Sequence, residues 1–262
     1  VPGGVRPAHR LRENRAVLIL LPPSEGKTAP TGGAPVDLGE LAYAAELREC
    51  REGLLDALEK LVGASTKKAI EQLAISPGQA GEIEVDAALR SAPAGPAAEV
   101  YSGVLYDRLG LPGLPKRARS KVLIASALWG VVRPDDRIPY YRLSAKARLK
   151  GIGPIAAWWR EALAEALPDK EGSLVVDMRS GAYAAAWKPR RAELLAVRAF
   201  TEQRGKRKPV SHMAKAVRGE VARALLQAKK APADAEGAAA TAEAAGFRVE
   251  LSDGFLDAIV EP

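Results

Sequence analysis

Ser24, Glu25 and Lys27 stand together in the stretch LLPPSEGKTAP, residues 20–30, and offer a hydroxyl, a carboxylate and an amine side by side. The Gly-Lys pair invites comparison with a phosphate-cradling loop, which needs a glycine five places before Gly26 so that backbone N–H groups converge on the phosphates. Leu21 occupies that place, and Pro22 and Pro23 lack N–H groups altogether. An ATP-binding loop is therefore excluded. What remains is an apolar strand that ends in a stiff proline pair and presents three polar groups at its carboxyl end, the edge where ligands bind in α/β proteins.

Three other stretches place unusual side chains beside strands or turns. In YSGVLYDRLGL, Tyr101 and Tyr106 flank Gly103, either as packed tyrosines or as part of a site. In KVLIASALWGVVRPDDRIPYYRL, an apolar strand is followed by Trp129, Arg133, Asp135, Tyr140, Tyr141 and Arg142, a set suited to a planar or phosphorylated ligand. The alternative there is an Arg133–Asp135 surface pair. In SLVVDMRSGAYAAAW, a second apolar strand leads into Asp177, Arg179, Ser180 and Tyr183. If the two strand ends converge, Glu25 and Asp177 form a carboxylate pair for acid and base work. A triad of Ser24 or Ser180 with His212 and Asp177 lacks a nucleophile-elbow sequence. Two histidines and one cysteine make a transition-metal site poorly supported, and no cofactor is expected.

The segment RLKGIGPIAAWWREAL, residues 148–163, is similar to the hairpin of a helix-hairpin-helix element extending over about 140–167. Gly151 and Gly153, around Ile152, let a turn approach a DNA backbone closely and expose its amides, while Arg148 and Lys150 add charge that fixes position without reading sequence. Pro154 suits the first turn of the helix that follows. A plain helix stop and restart is the competing explanation. Residues 203–230 add nine Lys or Arg against the single acid Glu220, which is either a solvated basic face or part of one electrostatic surface.

These side chains need a scaffold, and the hydrophobic pattern supplies one. Strands are expected at Val17–Leu21, Val122–Ala127 and Leu174–Val176, with a late pair near Phe247–Leu251 and Ala258–Val260. Helices are expected over Leu41–Val62, Lys67–Ala74, Ile155–Leu167 and about Ser211–Ala228. Irregular spacing argues against a repeating barrel and for a mixed α/β domain. Residues 76–98 read as a surface loop and 228–246 as a solvated helix or variable insert. Residues 1–16 read as an extension, leaving one domain over 17–262.

The 262 residues, 47% hydrophobic and 27% charged, can form one sizeable core. Thirty-nine Lys and Arg against 32 Asp and Glu give a formal charge of +7, which favours a polyanionic partner. Cys50 is the single cysteine, so no intrachain disulfide forms, which fits a reducing cytoplasm. No apolar run reaches the length of a membrane span.

The blocks LLPPSEGKT, YSGVLYDRL, SALWGVVRPDDRIPYYRL, VVDMRSGAYAAAW and SHMAKAVRGEVARALL, in this order from Leu20 to Leu226, resemble the YaaA family of peroxide-stress proteins. The resemblance implies a single α/β domain of unusual topology, called the cantaloupe fold, with a helix-hairpin-helix beside a positively charged cleft. It also implies double-stranded DNA binding and a role in limiting oxidative DNA damage and intracellular iron under hydrogen peroxide. Lys215 and Arg218 are implied cleft residues. The chain departs from the family pattern twice. Ser144-Ala145-Lys146 stands where Glu-Met-Gly is usual, and Asp177-Met178-Arg179-Ser180 where an Asn-Leu-Ala-Ser stretch is usual.

Two functions follow as expectations. The first is a sequence-independent duplex-DNA binder gripping phosphates through the hairpin and a basic cleft. The second is an enzyme acting on a nucleobase or nucleotide, with Glu25 or Asp177 as base. Its cleft would be lined by Ser24, Lys27, Tyr101, Tyr106, Arg133, Arg142, Arg179, Ser180, Tyr183, His212, Lys215 and Arg218. Whether the cleft is catalytic stays open at this level.

Overall fold

A computed structural model describes residues 17–61, 64–179, 181–203, 206–209 and 213–260. Along the chain come β1 (Val17–Leu21), α1 (Ala44–Glu59), α2 (Thr66–Leu73), α3 (Glu82–Ala87), β2 (Gly95–Pro96), α4 (Ala97–Val100), α5 (Val104–Leu109), α6 (Lys116–Arg119), β3 (Val122–Ser126), β4 (Gly130–Val132) and β5 (Arg137–Ile138). The second half adds β6 (Arg148–Leu149), β7 (Gly153–Pro154), α7 (Ile155–Trp158), α8 (Arg160–Ala166), β8 (Leu174–Asp177), α9 (Gly181–Ala184), β9 (Glu193–Gln203), β10 (Lys206–Pro209), α10 (Met213–Gln227), α11 (Ala235–Ala244), β11 (Arg248–Ser252) and β12 (Phe255–Val260).

The main sheet runs β11-β12-β9-β8-β1-β3-β4, with β10 paired to β9. Its middle is parallel: β12 with β9, β9 with β8, β8 with β1 and β1 with β3. Antiparallel partners close it, β4 against β3, β11 against β12 and β10 against β9. Strands buried on both faces read as unbroken apolar runs. That is the reason VLILL, VLIAS and LVVD were legible as strands; nearly every residue of the three is buried. From β1 the chain reaches β3 on one side and later β8 on the other, so the carboxyl end of β1 is a topological switch point, where a crevice opens. The architecture is a single mixed α/β domain with a largely parallel central sheet.

Two contacts fix the helices, one to this sheet and one to each other. On α1, Leu47, Leu54, Leu55 and Leu58 are buried at helical spacing together with Arg51. Arg51 donates to the carbonyls of Trp129, Ala42 and Val131 at 3.1, 2.7 and 3.1 Å, pinning the helix to the β3–β4 turn. Carbonyl partners make burial of that cation tolerable. On α10, Gly219 lets the helix meet α5 so closely that an added Cβ would stand 2.3 Å from the Leu105 carbonyl oxygen.

Several expectations need correction. Residues 76–98 are no surface loop: they contain α3 and β2, and bury Ile83, Asp86, Leu89 and Ala94. Residues 228–246 hold α11, which buries Ala238, Ala239 and Ala242 and is a packed helix. The helix expected over Ile155–Leu167 is interrupted between α7 and α8. The β9 and β10 strands, absent from the expected set, occupy part of the basic run. The first sixteen residues lie outside the described residues.

The helix-hairpin-helix expectation is changed most. Residues 148–154 do form a hairpin, β6 against β7, followed by a helix. Residues 140–147, the part of the expected element before the hairpin, contain no helix. A helix–turn–helix instead lies earlier in the chain: α2 ends at Ala74 in the left-handed conformation (φ 54), and Ser76 and Gln79 form a capping box that starts the next turn before α3. The Lys150 amide donates to Gln72 Oε1 of α2 at 2.8 Å, so the two hairpins adjoin.

Candidate functional site

At the switch point lies a cleft of about 760 Å³. One wall is the loop after β1, Pro22 to Lys27, and others come from Ala74 and Ile75, from Ser102 to Tyr106, from Arg142 to Lys146, from Tyr183 and from α10. The proline pair explains the shape of the first wall. With no N–H to donate, Pro22 contributes only its carbonyl, which accepts from the Tyr106 hydroxyl at 2.7 Å. Ser24 Oγ accepts from the Ser102 amide at 3.1 Å, and the Thr28 amide donates to the Val100 carbonyl at 2.8 Å. The loop is thereby bound along its length to the segment that begins α5.

Lys27 points into a ring of tyrosines. Its Nζ donates to the Ser24 carbonyl at 2.8 Å and lies 4.4 Å from the centre of the Tyr141 ring and 5.7 Å from that of Tyr101. Beneath it the hydroxyls of Tyr101 and Tyr141 meet at 2.8 Å, and Ser126 Oγ meets Tyr141 at 2.8 Å. Ser126 Oγ also accepts from the amides of Leu128 and Trp129, so its own proton goes to Tyr141. Burial holds both tyrosines protonated, far above the usual phenol range.

Two titrating groups sit close to neutrality here. Burial, reinforced by the Arg142 guanidinium, lowers Lys27 to about 8 against the pull of Asp86, Glu82 and Glu25. Burial raises Asp86 to about 7, opposed by the Arg142 amide, which donates to its Oδ1 at 2.6 Å. Asp86 is 2% exposed, and among the described residues its Oδ2 has no hydrogen-bond partner. Perturbed groups of this kind gather at functional sites. Arg142 connects the pair to the rim, donating from Nη1 to the Glu25 carbonyl at 2.8 Å.

The cleft brings together eight of the side chains singled out from sequence. Ser24, Glu25, Lys27, Tyr106, Arg142, Tyr183, Lys215 and Arg218 all line it. Tyr101 lies behind its wall, fully buried. Asp177 does not reach it: the carboxylate is buried and receives Arg179 Nε at 2.9 Å and Nη2 at 2.8 Å. The Glu25–Asp177 pair is therefore not assembled, since Asp177 neutralises Arg179 instead. Arg179 is likewise withdrawn, donating also to the Trp187 carbonyl. Arg133 is exposed over the Tyr43 ring, away from the cleft, and Asp135 pairs with Arg119. Arg148, Lys150, Gly151, Ile152 and Gly153 form the separate hairpin described above. Ser180 and His212 lie outside the described residues.

Asp86, Ser126 and the lining residues Ala74, Ile75 and Lys146 were not expected from sequence. Ile83 and Asp86, three apart, are the buried face of α3, a signal too short to separate from a loop. Among the described residues, five basic side chains, Lys27, Arg142, Lys146, Lys215 and Arg218, line the cleft against one carboxylate, that of Glu25. Burial lowers Arg218, whose Nε donates to the Val197 carbonyl at 3.0 Å. Among the described residues no helix is long and apolar enough to cross a membrane.

Known relatives fit this picture of a shared domain. A UPF0246 protein of Streptomyces coelicolor is 44% identical over 245 residues, covering 89% of this chain and 92% of its own length. One of Corynebacterium efficiens is 39% identical over 242 residues, covering 91% and 96%. An uncharacterized protein of Campylobacter jejuni is 29% identical over 210 residues, covering 77% and 81%. The family model described as peroxide stress protein YaaA matches residues 17–251, from the first strand of the sheet into β11, and the chain belongs to that family.

Proposed function

We propose that this chain binds duplex DNA without sequence preference and serves the peroxide stress response of its family. The observation that carries the reading is the imbalance, among the described residues, of five cations to one carboxylate around a cleft of nucleotide size. Phosphate charge is the natural complement of such a lining. Ser144, Ala145 and Lys146, where the chain departs from the family pattern it resembles, all line the cleft, and Lys146 adds a cation there.

One backbone turn lines this cleft, and a second, the separate β6–β7 hairpin, adjoins α2. Ala74 and Ile75, in the turn between α2 and α3, line the cleft directly and are our candidate for the element that approaches the DNA backbone. The β6–β7 hairpin offers Arg148 and Lys150 as further phosphate contacts. Its amides contribute less than the sequence suggests, since the Lys150 amide is engaged by Gln72 and the Ile152 amide by the Leu149 carbonyl. Gly151 and Gly153 hold φ of 84 and 77, with open space where a Cβ would stand, so a ligand can come close there.

The test is a salt titration of duplex affinity. Several phosphate contacts predict a fall of orders of magnitude between roughly 50 and 200 mM salt, and Lys150→Ala is expected to reduce the slope by about one contact. A flat response sinks the reading. The second reading, an enzyme acting on a nucleobase or nucleotide, is favoured by one observation, Lys27 and Asp86 titrating near neutrality under the cleft. It replaces Asp177 by these two groups.

A further inference from the structure

We infer that Lys27 is an imine-forming amine directed at the open-chain aldehyde of a deoxyribose phosphate. The inference rests on the cleft's reading as a DNA site and names the chemistry it would perform there.

The geometry begins with what Nζ lacks. Among the described residues no carboxylate forms an ion pair with it, and its hydrogen-bond partner is a neutral carbonyl, that of Ser24. On the protein side it faces the rings of Tyr141 and Tyr101, and it opens on the cleft through the loop at the carboxyl end of β1. A lysine meant only to attract phosphate is better placed exposed, as Lys146 and Lys215 are on the same cleft. Lys27 is half-buried, with a neutral fraction that a surface amine does not reach at pH 7, and desolvation of this kind is how lysines become nucleophiles.

The substrate class follows from the rest of the lining. Lys146, Lys215 and Arg218 complement a phosphate, while Pro22, Pro23, Val104 and Tyr106 give an apolar wall for the carbon skeleton. An aldehyde is what an amine can capture, and a deoxyribose that has lost its base presents one at C1′ when its ring opens. The nitrogen lone pair adds to that carbon and the carbonyl π pair moves to oxygen. The two protons of the neutral amine then leave with that oxygen as water, and a C=N double bond remains. No oxidant or reductant is needed.

Reductive trapping of the full chain tests this with two probes, a duplex containing one abasic site and free 2-deoxyribose 5-phosphate, each with cyanoborohydride. The expected result is a covalent species that survives denaturation and maps by peptide mass to Lys27. Lys27→Met and Lys27→Arg should abolish it, the latter while keeping a positive charge, and Lys170→Met, outside the cleft, should not. Mapping on wild-type protein decides even if a Lys27 variant fails to fold. Duplex that binds but is trapped with neither probe, or an adduct on another lysine, overturns the inference and leaves DNA binding standing. Trapping of the free sugar phosphate by a chain that binds no duplex keeps the Lys27 chemistry, assigns the free sugar as its source and removes the DNA reading.

Discussion

The loops that follow β1 and β8 look alike in sequence and behave as opposites. Each follows a buried parallel strand and presents an acid and a base within a few residues, Glu25 with Lys27 and Asp177 with Arg179. After β8 the pair closes on itself: Arg179 reaches back two residues in a bidentate contact, and both side chains are buried. After β1 the pair stays apart. Glu25 is exposed on the rim, and Lys27 takes a carbonyl and two aromatic rings as neighbours. A buried charge satisfied by its partner is structure, whereas one left without a counter-ion beside open space is available for chemistry.

The largest expected effect comes from breaking the closed pair. Arg179→Ala leaves the Asp177 carboxylate buried without its counter-ion and should cost about 3–5 kcal/mol in denaturant unfolding. Glu25→Gln, at the open loop, should leave stability within about 0.5 kcal/mol, as for other exposed positions. Comparable losses at the two sites would remove the distinction between them.

The next effect is set by pH. Asp86 titrates near 7 in the fold and near 3.9 when unfolded, so between those values the folded chain binds more protons and stability falls as pH rises. Asp86→Asn keeps the acceptor for the Arg142 amide and abolishes the titration. The variant should be more stable than wild type at pH 8 by up to a few kcal/mol and lose that advantage toward pH 4. Lys27 acts with the opposite slope and in a different window. With a folded value near 8 and an unfolded value near 10.4, it binds fewer protons when folded, so stability rises with pH across that interval. Parallel unfolding curves for wild type and Asp86→Asn from pH 4 to 8 would show that the carboxyl is already ionised in the fold.

Much of this comparison is legible in the sequence, for a physical reason. Strands buried on both faces announce themselves by unbroken apolar runs, and polar residues at their ends mark the crevice. The sequence could not tell Glu25 from Asp177, because the difference is a neighbour two residues away choosing to fold back. Asp86 was lost for another reason: Gly, Ala and acids dominate residues 76–98, and the short α3 within them buries only Ile83 and Asp86. The β9 strand was missed although Leu195, Val197 and Ala199 alternate with less buried residues at the period of a strand. Its link to the basic run concealed it. There Arg207 pairs with Glu202 and Glu250, so part of the apparent positive charge is locally cancelled.

The smallest effects distinguish three basic residues on α10. Helical spacing sets Lys215 and Arg223 on the side opposite the apolar stripe and Arg218 beside it, while family resemblance assigns Lys215 and Arg218 to the cleft. Lys215 is exposed, as the spacing requires, and yet lines the cleft with Arg218. Arg223 faces elsewhere, donating to the Leu109 carbonyl at 2.9 Å. Arg218 is the more constrained cleft cation, since its Nε is held by the Val197 carbonyl and its remaining donors are pre-positioned. Arg218→Ala is therefore expected to weaken duplex binding about tenfold, and Lys215→Ala a few-fold with the salt slope reduced by about one contact. Arg223→Ala should leave affinity nearly unchanged and act instead on the α5–α10 junction, as a small loss of thermal stability. Anisotropy titrations of the three variants at two salt concentrations check the order, and equal, small losses would mean that α10 presents only a solvated basic surface.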